Sequence, residues 1–307
     1  MPAPVRNLQL TWFNRQGEVG EKIPGATGEF SGMKVSPDGS KAAIVQVKVF
    51  AQQASISVID FARGTNNRFT FGPGVNVQPV WSPDGQHVAW CSTAGGNTSI
   101  MQKAANGAGN EEVLFQVSGD YKLSPTNWSP AGRYLIFIRD KNLWALPVAP
   151  AANGSRTPIP LIQSPENKSS AMISPDDRWV AYLSSETGRS EVYVQGVNLS
   201  SSNTGKWVVS TGASGLLGWQ ADGKQLLYFS ADGALMAVGL TGGPVFQPSP
   251  PQLLFKLPPR FLRLSPNPSL LAGATANHQR ILMSMPVQES ERQELSVILN
   301  WRPAPGK

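Results

Sequence analysis

Two histidines, one cysteine and a recurring aspartate are the residues of this 307-residue chain best suited to chemistry. A general base, a metal site or an activated nucleophile needs such groups to converge. In the sequence they do not. His87 opens one apolar run and His278 another, about four repeats apart. Neither has His, Cys or carboxylate company at ligand spacing. A Ser-His-Asp hydrolase of the nucleophile-elbow kind wants its serine on a strained Gly-X-Ser-X-Gly turn. The nearest approach, Gly212-Ala213-Ser214-Gly215-Leu216, fails at its last position. No glycine-rich phosphate loop followed by Lys is present. Cys91 stands alone, so no disulfide forms within the chain, and it reads as a small buried apolar residue. The expectation is therefore no catalytic residues, no cofactor and no metal, with the binding residues unknown.

The aspartates belong to a repeat. Ser36-Pro37-Asp38-Gly39 recurs as Ser82-Pro83-Asp84-Gly85, Ser129-Pro130-Ala131-Gly132, Ser174-Pro175-Asp176-Asp177 and Gln220-Ala221-Asp222-Gly223, in steps of 46, 47, 45 and 46 residues. Each copy is written for a type I turn: Ser bonds back to the backbone, Pro presets φ, Asp accepts local N–H groups and Gly eases the exit. A ring of Asp38, Asp84, Asp176 and Asp222 around one cation is excluded by their distribution over separate repeats, so a local turn role is expected.

The elements that carry the turns are short strands. After each turn comes an apolar run: Lys41–Val45, Gln86–Trp90, Arg133–Phe137, Arg178–Tyr182 and Lys224–Tyr228. These are too short for buried helices and rich in β-formers. An alternating third strand (Ser55–Asp60, Asn142–Leu146, Ser190–Gln195) and a more polar fourth (Arg68–Phe71, Glu112–Phe115, Lys206–Ser210) complete each period. Thirty glycines and 26 prolines interrupt every candidate helix. Four strands in about 45 residues make one propeller blade. The fold class expected is all-β: one propeller domain over residues 1–307, six four-stranded antiparallel blades, with seven as the alternative count.

The sixth blade has two candidate registers, with its turn at Leu264–Asn267 or at Thr275–His278; the second leaves a Pro-rich insertion at Gly242–Pro259. The blade turns are placed at Ser36, Ser82, Ser129, Ser174, Gln220 and Thr275. A terminal strand is expected at Leu295–Trp301. Leu8–Phe13 and the hairpin Asn14–Lys22 are expected to complete the blade that the C-terminal part starts, hiding the edges.

Trp81, Trp128 and Trp219 end first strands and are expected to pack between blades, as are Trp144, Trp179 and Trp207 at other strand positions. The net charge of +6 is diffuse on a chain only 15% charged, which favours solubility over nucleic-acid binding. The densest basic-aromatic spot, Pro258–Arg263, reads as a loop packed on a blade edge. Asn-X-Ser/Thr triplets at Asn97, Asn127, Asn153, Asn167 and Asn198 are of the kind that arises by chance in a chain rich in Ser and Asn. No apolar run approaches the length of a membrane span, and Met1–Leu10 has no apolar signal core. The chain as written is expected to be a soluble, cytoplasmic monomer, or extracytoplasmic if cut from a membrane-anchored parent.

With these residues in hand the chain resembles the TolB-like branch of WD-repeat-like bacterial propellers. More narrowly, it is similar to the propeller found C-terminal to bacterial serine/threonine kinases. The resemblance rests on Leu10–Gly17, Asp60–Gly64 with Arg68–Phe71, Gln102–Gly107, Ser174–Tyr182, Glu191–Val194, Gly205–Trp207 and Val297–Trp301. It implies a non-catalytic sensor or protein-interaction platform, with a protein partner or small ligand at one mouth of the channel. The alternative is a small-ligand-binding, hydrolase or lyase propeller enzyme. No kinase segment accompanies it, and the family carries no catalytic residues to transfer.

Overall fold

The computed structural model describes residues 7–48, 53–72, 74–119, 121–197, 205–241, 246–265 and 267–287. Their regular secondary structure is almost entirely β. Two strands come first, β1 (Leu8–Asn14) and β2 (Val19–Gly28), paired antiparallel across the polar turn. The first repeat unit follows as β3 (Phe30–Val35), β4 (Lys41–Lys48), β5 (Gln53–Asp60) and β6 (Thr65–Arg68). The second is β7 (Val75–Trp81), β8 (His87–Ala94), β9 (Asn97–Ala104) and β10 (Glu112–Ser118). The third is β11 (Leu123–Trp128), β12 (Tyr134–Arg139), β13 (Asn142–Pro147) and β14 (Ile159–Ile162). The fourth is β15 (Lys168–Ile173), β16 (Trp179–Ser184), β17 (Glu191–Gly196) and β18 (Lys206–Val208). The fifth is β19 (Ala213–Trp219), β20 (Gln225–Ser230) and β21 (Ala234–Thr241), with β22 (Gln247–Pro248) and β23 (Gln252–Lys256) both paired to β21.

Within each unit the strands run as an antiparallel meander, and one parallel pair, Ala54 with Val75, joins the first unit to the second. The remaining sheet is built from both ends of the chain. Its order is β2, β1, β25 (Arg280–Pro286), β24 (Ala272–Ala274), and β1 runs against β25 in unbroken register from Leu8–Pro286 to Asn14–Arg280. The first strands touch in sequence: β3 meets β7, β7 meets β11, β11 meets β15, β15 meets β19, β19 meets β24, and β24 meets β3.

The turn chemistry explains why each hairpin forms where it does. Ser36 donates its N–H to the Lys41 carbonyl at 2.9 Å and accepts the Lys41 N–H on Oγ at 2.9 Å. Its hydroxyl donates to Asp38 Oδ1 at 2.5 Å, and that oxygen also accepts the Ser40 N–H at 3.0 Å. Ser82 and Ser174 repeat this set. The last turn is at Thr275: its N–H reaches Arg280, its hydroxyl accepts from Arg280 N, and Asn277 takes the aspartate's place. The exit position needs positive φ; Gly fills it at Gly39, Gly85, Gly132 and Gly223, while Asp177 (φ 57°) and His278 (φ 56°) fill it elsewhere.

The second strands are the most buried, and neighbouring units share apolar clusters. Trp128 and Leu135 pack with Val80 and Cys91, and Leu226 and Tyr228 pack with Ala181 and Val194. Fourth strands differ from expectation. The first ends at Arg68, because Phe69 and Thr70 both turn their N–H groups to the Ile56 carbonyl and leave the ladder; the fourth ends at Val208. The Pro-rich insertion contributes β22 and β23, residues 242–245 lying outside the described set. Pro258–Arg263 contains a four-residue helix, α1 (Pro259–Leu262), which seats Phe261 in the core. The strand expected at Leu295–Trp301 also lies outside the described residues. Among those described, no helix is long and apolar enough to cross a membrane.

Candidate functional site

The residues that looked suited to chemistry stay apart. His87 begins β8, with its own N–H held by Ser82 Oγ at 2.8 Å. His278 is buried, and its Nδ1 has no hydrogen-bond partner among the described residues. Burial, then the nearby Arg15 charge, push its pKa down to about 4, so the ring is neutral at pH 7. Cys91 is buried and its thiol is pushed up to about 11 by desolvation, which keeps it protonated and unreactive. Each of Asp38, Asp84, Asp176 and Asp222 accepts an N–H two residues on, inside its own turn. Among the described residues no three His, Cys, Asp or Glu side chains gather as a metal site would require.

What the fold does assemble is a channel between the first strands. β3, β7, β11, β15 and β19 each slip register against their neighbour, at Phe30/Gly32, Val77/Val80, Pro125/Asn127, Ser169/Met172 and Leu216/Gly218. A bulge of this kind re-aims side chains away from simple alternation. Gln78 (φ 56°) and Ser170 (φ 53°) sit within two of these slips.

Two cavities fill the channel. One, of about 480 Å³, opens beside the turns and is ringed by Pro37, Pro83, Pro130, Pro175, Ala221 and Ala276, the residues after each turn's Ser or its replacement. The other, of about 390 Å³, lies toward the opposite strand ends and is lined by apolar residues such as Met33, Val77 and Leu216, interspersed with the hydroxyl and amide side chains of Ser31, Gln78, Ser124, Ser169 and Ser170. Lys34, Thr126 and Met172 line both cavities and so form the waist between them. Among the described lining residues of the two cavities, Lys34 alone is ionisable.

The waist is fixed by bonds that cross from unit to unit. Trp81 Nε1 donates to the Lys34 carbonyl at 2.9 Å, and Trp219 Nε1 donates to the Met172 carbonyl at 3.0 Å. Asn127 Oδ1 accepts the Ile173 N–H at 3.0 Å. Trp128 departs from the pattern and donates to Gly132 within its own turn at 3.1 Å. The tryptophans thus pack at unit boundaries while their edges reach the channel wall. Trp179 and Trp207 instead meet edge-on at 5.5 Å beside Phe246, at the outer part of the fourth unit.

Lys34 was not among the residues expected to matter, yet the repeat carries its signal. The position two before the turn holds Lys34, Val80, Asn127, Met172, Gly218 and Gly273, and all six line the turn-side cavity. A single charge stands in a column otherwise apolar, small or neutral. Burial pushes the Lys34 ammonium down to about 8.

The comparisons with known proteins agree on the fold. The model of the TolB β-propeller domain matches residues 16–159. A protein of Agrobacterium fabrum without assigned function is 29% identical over 103 residues, which is 34% of this chain and 33% of that protein, so the match spans about a third of the relative's length. The structure of a protein designated TolB in Agrobacterium tumefaciens superposes with TM-score 0.65 at 16% identity, covering 93% of this chain and 99% of the other. An oligogalacturonate lyase in complex with manganese superposes at 0.56 with 11% identity, covering 91% of this chain and 82% of that one. At these identities the likeness speaks to the fold: the chain has a β-propeller fold, and its residues 16–159 are similar to the TolB propeller domain.

Proposed function

We propose that this TolB-like β-propeller is a non-catalytic binding module, in which six blades close around the channel and one mouth receives a protein partner or a small ligand. The unit-to-unit contacts of the first strands support the ring, with the paired chain ends as the sixth blade. The observation that carries the binding reading is the channel itself. Residues from every unit line its turn-side cavity, and small or apolar turn residues frame the opening. Its volume falls in the range of ordinary ligand sites. The module acts as a monomer without nucleic acid, as the sensing or docking part of a larger system.

An enzymatic reading needs an acid–base pair or a metal set in the channel. His278 is absent from both channel linings and no carboxylate is among the described lining residues, which weighs toward binding. Propeller enzymes exist among its structural neighbours, so turnover remains the competing outcome of the test.

The test narrows the mouth. Ala221→Trp with Ala276→Trp changes two exposed turn positions on the cavity rim and leaves the strands alone. Capture of a partner, or of a small molecule in thermal-shift screening, should be lost in this variant at an unchanged melting temperature. Binding indifferent to the change, or substrate turnover by the wild-type chain, overturns the reading.

A further inference from the structure

We propose that the waist of the channel is a binding site for a small organic anion, carrying carboxylate or phosphate, with the Lys34 ammonium as its counter-charge. The proposal rests on the binding-module reading and names its ligand class.

Three independent observations carry it. The first is position: Lys34 lines both cavities, and its backbone is held in place by Trp81 from the next unit. The second is the missing partner. No ion pair or hydrogen bond engages the Lys34 ammonium among the described residues, and no carboxylate stands among the described residues lining either cavity. A half-buried ammonium without a counter-charge is less stable than a paired one, and an anion arriving in the channel supplies the missing charge. The third is the polar set beside it. Gln78, Ser124, Ser169 and Ser170, contributed by three different units, make no side-chain hydrogen bond among the described residues. Amide N–H and hydroxyl groups can donate to the oxygens that the ammonium leaves unmet.

The alternatives fit less well. A cation is repelled by the lone charge. A neutral sugar would use the hydroxyls and the amide but give the ammonium no counter-charge. A cavity of about 390 Å³ beside one of about 480 Å³ has room for a molecule of metabolite size.

The experiment is calorimetric titration of the full chain with succinate, citrate and inorganic phosphate at constant ionic strength, on the wild type, Lys34→Met and the Ala221→Trp/Ala276→Trp variant. At least one probe should bind the wild type and bind Lys34→Met ten-fold or more weakly, while Lys34→Met stays folded with an equal or higher melting temperature. Succinate or citrate binding without phosphate binding assigns a carboxylate ligand; the reverse assigns a phosphate. As a second readout, NMR titration of the lysine ε-amines should show the Lys34 pKa rising when the probe is bound. Binding equal in wild type and Lys34→Met overturns the proposal, as does failure of all three probes to bind. If mouth-dependent binding of another partner persists in either case, the anion site falls and the binding module stands. If mouth-dependent binding fails as well, both fall.

Discussion

The indole N–H of Trp81 and the carbonyl of Lys34 lie 2.9 Å apart across the boundary between the first and second units. The same contact joins Trp219 to Met172 at 3.0 Å between the fourth and fifth. Both acceptors are waist residues. The tryptophan at the end of a first strand is therefore a clamp on its predecessor's channel wall as well as an apolar wedge.

Trp81→Phe keeps most of the wedge and removes the clamp. Losing one hydrogen bond to a carbonyl at the unit boundary, with some volume, should cost about 1–3 kcal/mol. A lowered urea midpoint at unchanged slope is the expected result, and Trp219→Phe should match it. No change in either variant would mean that the indole N–H contributes nothing beyond packing.

His278 makes the fold sensitive to acid. Its folded pKa is lowered from 6.5 to about 4, chiefly by burial. Above pH 6.5 both states hold a neutral ring and the stability is intact. Between pH 6.5 and about 4 the unfolded chain takes the proton that the buried ring refuses, so stability falls with pH, by about 3 kcal/mol across the window. His278→Asn, which tolerates the positive φ, should show a flatter decline in melting temperature over that window. Parallel curves would assign the slope to other groups.

Lys34→Met should raise stability at pH 7. The lysine's folded pKa is lowered from 10.5 to about 8, with burial the cause. The wild type is thus penalised where the amine is charged in both states, and it regains stability as pH rises from 8 toward 10.5. The variant's advantage should shrink over that range. A melting temperature below wild type at pH 7 would show that the ammonium is already well solvated in the channel.

Glu191 is a buried carboxylate with several donors. Gly212 N–H reaches it at 2.6 Å, Arg189 Nε reaches it at 2.6 Å, and the Ser210 hydroxyl donates to it as well. Glu191→Ala should cost about 3 kcal/mol, because it strands the Gly212 and Ser210 donors in the interior. The exposed Arg189 contributes little of this. Denaturant unfolding checks the figure, and a loss under 1 kcal/mol would mean that water replaces the carboxylate.

Turn chemistry made much of the architecture legible. Ser-Pro-Asp-Gly names its own hydrogen bonds, so the spacing of Ser36, Ser82, Ser129 and Ser174 located the hairpins they close. The Thr275 turn is harder to read, because Thr, Asn and His replace Ser, Asp and Gly while making equivalent bonds. The fourth strands were misjudged at Arg68–Phe71 because an edge strand has one partner only, and Phe69 and Thr70 find a better acceptor in Ile56. The channel was the least legible part. Which face a residue of a first strand presents depends on bulges such as those at Gln78 and Ser170, where positive φ breaks the two-residue alternation. Lys34 could have been found only by aligning the repeats and asking why one column holds a charge.

The pairing of β1 with β25 sets an order on the protein's birth. Leu10 lies opposite Ser284, so the first strand is made long before its partner exists. At ordinary synthesis rates of about 5–20 residues per second, that interval is roughly 15 to 60 seconds. Throughout it, Leu8, Leu10, Trp12 and Phe13, buried in the finished fold, lack one of their neighbours. The nascent chain thus carries an adhesive strand for that interval, and chaperone shelter during translation should matter more to this protein than its final stability suggests.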